Sequence, residues 1–363
     1  MRDLDSCRLT QLKHSEREHP RHNSAALPQS NAIFPLGGAA LLHRLFGASI
    51  FVWLCLAIPA HAAGIHLLDS DPKLRGAIWT PCATEPTSVA LGNLGVTAVD
   101  SLPGVKDCPI KGTKLPLIVF SHGRGGWFGQ HHDLNEALAD AGFIVAAISH
   151  PGDTFGDNAQ SETLSNWATR PADVVRLIDF LLKDWKDRAT VDPDRVGFFG
   201  FSKGGYTGLV LAGADPDFGR VAHYCTDPTA FCEQVRKGDV PRAFAHDLRI
   251  KAAVLADISP SGPFTDINLI SVKIPLQIWR SQFGGHGADP EGTARVAGSL
   301  SNQPEIHMVP SGHFAFLAPC SAEFAAAASR ICADTPADFD RAAFHRVFDA
   351  DVVKFFSERL AKK

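Results

Sequence analysis

From about residue 73 onward the apolar positions alternate between two kinds of segment. The first kind is a short continuous apolar run. LPLIVFS (115–121), FIVAAIS (143–149), RVGFFGF (195–201) and IKAAVLA (250–256) are rich in β-branched and aromatic residues. Such runs predict strands buried on both faces. Shorter runs at 74–79, 87–92, 275–280 and 304–309 predict further strands. The second kind has helical spacing. Residues 130–141 form a short amphipathic stretch. In 171–185, Val174, Val175, Leu177, Ile178, Leu181, Leu182 and Trp185 make one stripe, with Pro171 expected in the first turn. Asp192-Pro193-Asp194 reads as a turn, and further helices are expected from about 203, at 321–333 and at 340–360. Residues 214–249 break the rhythm and predict an irregular insertion near the strand ends. Strands alternating with helices imply a doubly wound, mostly parallel α/β sheet with one core, a single domain over 63–363.

The N-terminal part has a different pattern. Residues 1–31 are polar without period, so 1–40 read as a disordered extension or as sequence upstream of the true start. His43 and Arg44 then precede an apolar run from Leu45 to Pro59, followed by Ala60-His61-Ala62. A charged flank, an apolar core and small residues at its end predict a signal peptide over 41–62. The run is shorter than the ~18 residues of a stable membrane span, and Leu54 before Cys55 disfavours a lipoprotein cleavage site. A secreted or periplasmic protein is expected. Cysteine usage agrees. Of eight cysteines, six lie beyond residue 62, and their spacing suggests the pairs 82–108, 225–232 and 320–332. No C-x-x-C occurs and no cysteine stands at ligand spacing from a histidine pair, so no zinc site is expected. The 363 residues carry a formal charge of −4, and no basic stretch has interleaved aromatics, which argues against a nucleic-acid partner.

The chemistry centres on VGFFGFSKGGYTG (196–208). G-x-S-x-G alone is weak, and glycine and serine are ordinary turn residues. Here the motif stands between a buried strand and a helix, the context of a nucleophile elbow at Ser202. Acyl transfer also needs oxyanion donors. The 115–121 strand runs into Ser121-His122-Gly123-Arg124-Gly125-Gly126, so the backbone N–H groups of Arg124 and Lys203 are the expected oxyanion-hole donors. The base should be a late histidine, and His313, in the polar loop after the last strand, fits best. His307 lies within a strand and His345 on a helix, while His286 in a glycine-rich loop is the rival. For the acid two candidates stand: Asp257 at the end of the 250–256 strand, and Asp289 about ten residues beyond the 275–280 strand. His131-His132-Asp133 resembles a metal cluster, but adjacent helical histidines point apart, so no metal is expected. His150 and Asp153 are expected to shape the pocket or fix its loop, and Arg170 and Asp173 to form an ion pair at a helix start.

LPLIVFSHGRGG, AGFIVAAISHPGDT, RPADVVRLIDFLL, VDPDRVGFFGFSKGGYTGL and VPSGHFAFLAPC together resemble the secreted bacterial α/β-hydrolases known as predicted dienelactone hydrolases. They are also similar to the plasma-type platelet-activating-factor acetylhydrolases. The resemblance covers about residues 73–358 in order. It implies the α/β-hydrolase fold, ester cleavage without a cofactor, and Asp257 as the acid. One departure is chemical, because dienelactone hydrolases use a cysteine where this chain has Ser202. An ordinary carboxylic ester is therefore expected over a lactone. The expectation is an exported serine esterase acting on a small-molecule ester. A peptidase or amidase on the same residues, or a non-catalytic binding protein of this fold, are the alternatives.

Overall fold

The computed structural model describes residues 63–97, 100–225, 228–241 and 243–362. The segments expected to be an N-terminal extension (1–40) and a signal peptide (41–62) lie outside the described residues.

Ten strands are present among the described residues: β1 Gly64–Leu68, β2 Gly76–Thr80, β3 Thr87–Ala90, β4 Ser101–Lys106, β5 Leu115–Ser121, β6 Ile144–Ile148, β7 Val191–Phe201, β8 Ile250–Ala256, β9 Leu276–Ser281 and β10 Glu305–Val309. The helices are α1 His132–Asp140, α2 Leu164–Lys183, α3 Lys203–Leu211, α4 Ala230–Lys237, α5 Asp266–Leu269, α6 Pro290–Ser299, α7 Ala322–Ala327, α8 Ser329–Cys332 and α9 Arg341–Arg359.

The strands form one sheet in the order β10-β9-β8-β7-β5-β6-β2-β1-β4-β3. From β6 to β10 every pairing is parallel, while β2 runs antiparallel to β6. Helices cover both faces of the parallel part. Along β5, Leu117 and Val119 pack into the layer under α2 and α3, and Ile118 and Phe120 into the layer under α1 and α9. Alternating side chains thus serve two cores, which is why the strand is apolar throughout. β5 sits between β6 and β7, so the chain order switches direction there. In open α/β sheets the crevice beyond the strand C-termini at such a switch is where ligands bind.

Three local expectations are corrected. Helix α2 starts at Leu164, so Pro171 lies inside it. Thr163 makes no side-chain cap bond there. Instead Gln234 Oε1, on α4, accepts the Leu164 N–H at 2.7 Å, a tertiary cap that no local pattern signals. Residues 192–194 do not end a loop but bulge within β7, where Leu115 pairs with Val191 and Leu117 with Val196. The helix expected at 321–333 is broken into α7 and α8. β1 and β4 had no sequence signal of their own, since β4 contains Pro103 and Gly104, which read against a strand.

The insertion at 214–249 packs on α2 and α3. Trp167 lies 4.9 Å from Tyr206 and 6.1 Å from Phe231, centroid to centroid. Three disulfides join Cys82 to Cys108, Cys225 to Cys232 and Cys320 to Cys332, the spacing-derived pairs. Among the described residues no helix is long and apolar enough to cross a membrane.

Candidate active site

Ser202 stands between β7 and α3 with φ 56° and ψ −115°. A non-glycine residue in this region is strained, and such strain persists only where the surroundings enforce it. Here the Ser202 N–H bonds the Ala256 carbonyl at 2.8 Å, and its own carbonyl accepts from Gly205, Tyr206 and Ser259. The flanking glycines are needed for space. A Cβ on Gly204 would collide with the Ser121 carbonyl at the end of β5, and one on Gly200 with the Gly204 backbone. The tight turn lifts the hydroxyl out of the sheet at the N-terminus of α3.

Ser202 Oγ lies 3.0 Å from His313 Nε2, and His313 Nδ1 lies 2.8 Å from Asp257 Oδ2. A carboxylate only accepts, so Nδ1 carries the proton and the Nε2 lone pair faces the serine. Asp257 is itself fixed. Its Oδ1 accepts the Ser281 N–H and its Oδ2 the Ser281 hydroxyl, both at 2.6 Å, while its own N–H bonds the Trp279 carbonyl. The Phe201 ring stacks on the imidazole at 4.6 Å. Asp289 stands elsewhere, exposed at the N-terminus of α6. Of the two acid candidates, the structure brings Asp257 to His313. Ser281 was not foreseen. Its only sequence signal is a hydroxyl at the end of an otherwise buried strand.

The 122–126 loop crosses over the serine: a methyl group on Gly123 would lie 3.3 Å from Ser202 Cβ. Arg124 follows directly, and its exposed side chain pairs with Glu162. As the first residue of α3, Lys203 has a backbone N–H with no acceptor inside the helix. Its side chain turns inward, where Nζ meets Asp153 Oδ2 at 2.8 Å, Asn166 Oδ1 at 2.5 Å and the Ser161 carbonyl at 3.0 Å.

That inward turn reaches a buried polar network which corrects the expected Arg170–Asp173 pair. Arg170, fully enclosed, bonds Asp153 Oδ2 at 2.7 Å, Ser121 Oγ at 3.2 Å and the His122 carbonyl. Asp173 instead meets His150 Nδ1 at 3.0 Å and Arg176 at 2.8 Å. The reason is desolvation, because a guanidinium out of water needs a fixed carboxylate at its fork. Burial raises the Asp153 carboxyl, but the Arg170 and Lys203 charges outweigh it and hold it well below the usual range. Burial, then Arg170, brings His150 down to about 4. His122 is likewise held well down, mainly by burial. Its Nε2 accepts the His150 N–H at 3.0 Å while Nδ1 donates to the Gly123 carbonyl at 2.6 Å, so this neutral ring braces the loop from below.

The other histidines weighed from the sequence have partners of their own among the described residues. His286 stacks on Phe314 at 4.1 Å on the rim. His307 stacks on Trp279, and His131 is buried against Phe199 and Phe201. Asp133 meets His345 Nδ1 at 2.6 Å rather than its helical neighbours. With Asp349 these groups lie within 4.8 Å of one another, near enough to share a cation. His345 Nε2 meanwhile donates to the Ala315 carbonyl. Beside the 122–126 loop a cavity of about 190 Å³ is lined by Gly125, Trp127, Phe155, Leu317, Phe324 and Ile331.

Sheet order, switch point and strand-turn-helix elbow make this the α/β-hydrolase fold, and residues 116–239 match the protein-family model described as alpha/beta hydrolase fold. The chain is 26% identical over 222 residues to NocK of Nocardia uniformis subsp. tsuyamanensis, a protein named as an esterase, which covers 60% of each chain. It is 29% identical over 135 residues to the platelet-activating factor acetylhydrolase of Cavia porcellus, covering 34% of this chain and 28% of that protein. The chain thus spans 60% or less of the length of these relatives.

Proposed function

We propose that the protein is an exported serine hydrolase that cleaves carboxylic esters through an acyl-enzyme. The observation that carries this reading is the Ser202–His313–Asp257 hydrogen-bond line, 3.0 and 2.8 Å, on a strained elbow. Ser202 Oγ attacks the ester carbonyl carbon while its proton passes to His313 Nε2. Asp257 holds the tautomer and stabilises the imidazolium. The backbone N–H groups of Arg124 and Lys203 receive the developing oxyanion. On collapse the C–O bond to the alcohol breaks, and the alcohol leaves with the proton from His313. Water then attacks the acyl-enzyme by the same route, releasing the acid. No cofactor enters the cycle. A serine, where the dienelactone hydrolases it resembles hold a cysteine, favours an ordinary ester over a lactone. Similarity to proteins named as an esterase and an acetylhydrolase supports the same class. Three disulfides fit an oxidising compartment.

The test is turnover of p-nitrophenyl acetate and butyrate beside matched p-nitroanilides. Ester cleavage lost by at least about 10³-fold in Ser202→Ala supports the proposal. Anilide cleavage at a comparable kcat/KM would reassign it as an amidase. Folded protein that turns over neither would make it a binding protein.

A further inference from the structure

Asp153 is completely enclosed, yet its carboxylate meets four donors from separate parts of the chain. Oδ1 accepts the Gly125 backbone N–H at 2.9 Å and the Ser161 hydroxyl at 2.6 Å. Oδ2 faces Arg170 Nη1 at 2.7 Å and Lys203 Nζ at 2.8 Å. Two of these donors belong to the segments that carry the proposed oxyanion amides. Gly125 follows Arg124 in the loop, and Lys203 is itself the second amide. One carboxylate therefore ties together two segments, 78 residues apart in sequence (203 − 125), whose relative position would set the oxyanion geometry.

We propose that Asp153 is a positioning residue that clamps the two halves of the oxyanion hole, and that the Lys203 ammonium it retains adds positive potential at the site. This rests on the ester-hydrolase reading. The charges support it. Arg170 and Lys203 bring two cations to the one carboxylate of Asp153, while Asp173, the other buried carboxylate near Arg170, is held by His150 and Arg176. A fixed charge in a dry site stabilises a developing anion without reorganising.

The cation is also poised to titrate. The groups facing Lys203 are Asp153, the Ser161 carbonyl, Glu162, and Asn166, Trp167 and Arg170 from α2, with Nζ 4.1 Å above the Trp167 ring. Burial, then Arg170, brings the ammonium down to about 8 against the pull of Asp153 and Glu162. An activity that uses the charge should fall as the pH rises through this value.

The experiment measures kcat and KM on p-nitrophenyl acetate from pH 6 to 10 for the wild type, Asp153→Asn and Lys203→Met, with melting curves for each. Asp153→Asn is expected to lose about 10²–10³ in kcat, the cost of a misplaced oxyanion donor, with KM little changed. Should that variant fail to fold, Lys203→Met decides. It preserves the Arg170–Asp153 pair, and it should lose about tenfold in kcat at pH 7 and lack the wild-type decline above about pH 8. Folded Lys203→Met with wild-type kcat and an unaltered alkaline limb would overturn the proposal. Labelling of wild-type Ser202 by a fluorophosphonate separates the two failures. Without labelling the hydrolase reading itself falls, whereas labelling beside an indifferent Lys203→Met removes only the clamp.

Discussion

Ser121, His150 and Asp173 are joined by the same two hydrogen bonds as Ser202, His313 and Asp257. The inner array measures 2.9 and 3.0 Å, the outer 3.0 and 2.8 Å. Their surroundings differ. Ser121 ends β5 with no exposed surface, and Arg170 also donates to its hydroxyl. Ser202 is 8% exposed, on a positive-φ elbow at a helix N-terminus. Burial and Arg170 hold His150 neutral down to about 4, so it cannot gain a proton without cost to the fold. Connectivity alone therefore does not make a nucleophile. Access and an elbow that presents the hydroxyl at a helix N-terminus are what separate the two serines.

The sharpest way to break this contrast is to mutate the two acids in parallel. Asp257→Asn should cut kcat on p-nitrophenyl acetate by on the order of 10³–10⁴, because the histidine loses its tautomer. Asp173→Asn should cost less than about tenfold. Equal losses would mean that the inner array takes part in turnover.

Protonation offers a second contrast. In the unfolded chain His150 titrates near about 6.5, and in the fold near about 4. The native state thus binds the proton less readily than the unfolded one, so stability present above about pH 6.5 is lost as pH falls toward about 4. The loss from this residue is roughly 3 kcal/mol at most. Urea denaturation at pH 7 and pH 4.5 should show a smaller drop for His150→Gln than for the wild type. An unchanged drop would place the acid sensitivity in other groups, of which buried His131, brought down to about 3, is one. The smallest effect is expected at Asp289, which is exposed, whereas His313 Nδ1 bonds Asp257. Asp289→Asn should change kcat by less than tenfold, under about 1.4 kcal/mol of barrier, and a larger loss would reopen its candidacy.

The contrast also marks what could be read from the sequence. β5 and β8 run over the expected 115–121 and 250–256 because strands buried on both faces leave an uninterrupted apolar run. Ser202 and Asp257 stand at the ends of such runs and His313 in the loop after the mostly exposed β10. The structure brings these three together, whereas the sequence left the acid open between Asp257 and Asp289. The inner network was not legible. Arg170 and Asp173 are three apart on one helix, which suggests a pair, yet the enclosed guanidinium turns to Asp153 while the Asp173 oxygens are taken by His150 and Arg176. Asp133 reaches His345 across 212 residues. Ser121 and Ser281 share a faint signal, each a hydroxyl closing an apolar strand, and each bonds a polar side chain of the sites just described.

The most direct test of the central claim is covalent. Intact protein is treated with a fluorophosphonate at pH 7.5, digested, and mapped by mass spectrometry, with Ser202→Ala as control. The account predicts one adduct, on the peptide containing Ser202, none on the peptide containing Ser121, and none anywhere in the control. An adduct at Ser121, or an unmodified Ser202 in folded protein, would contradict it.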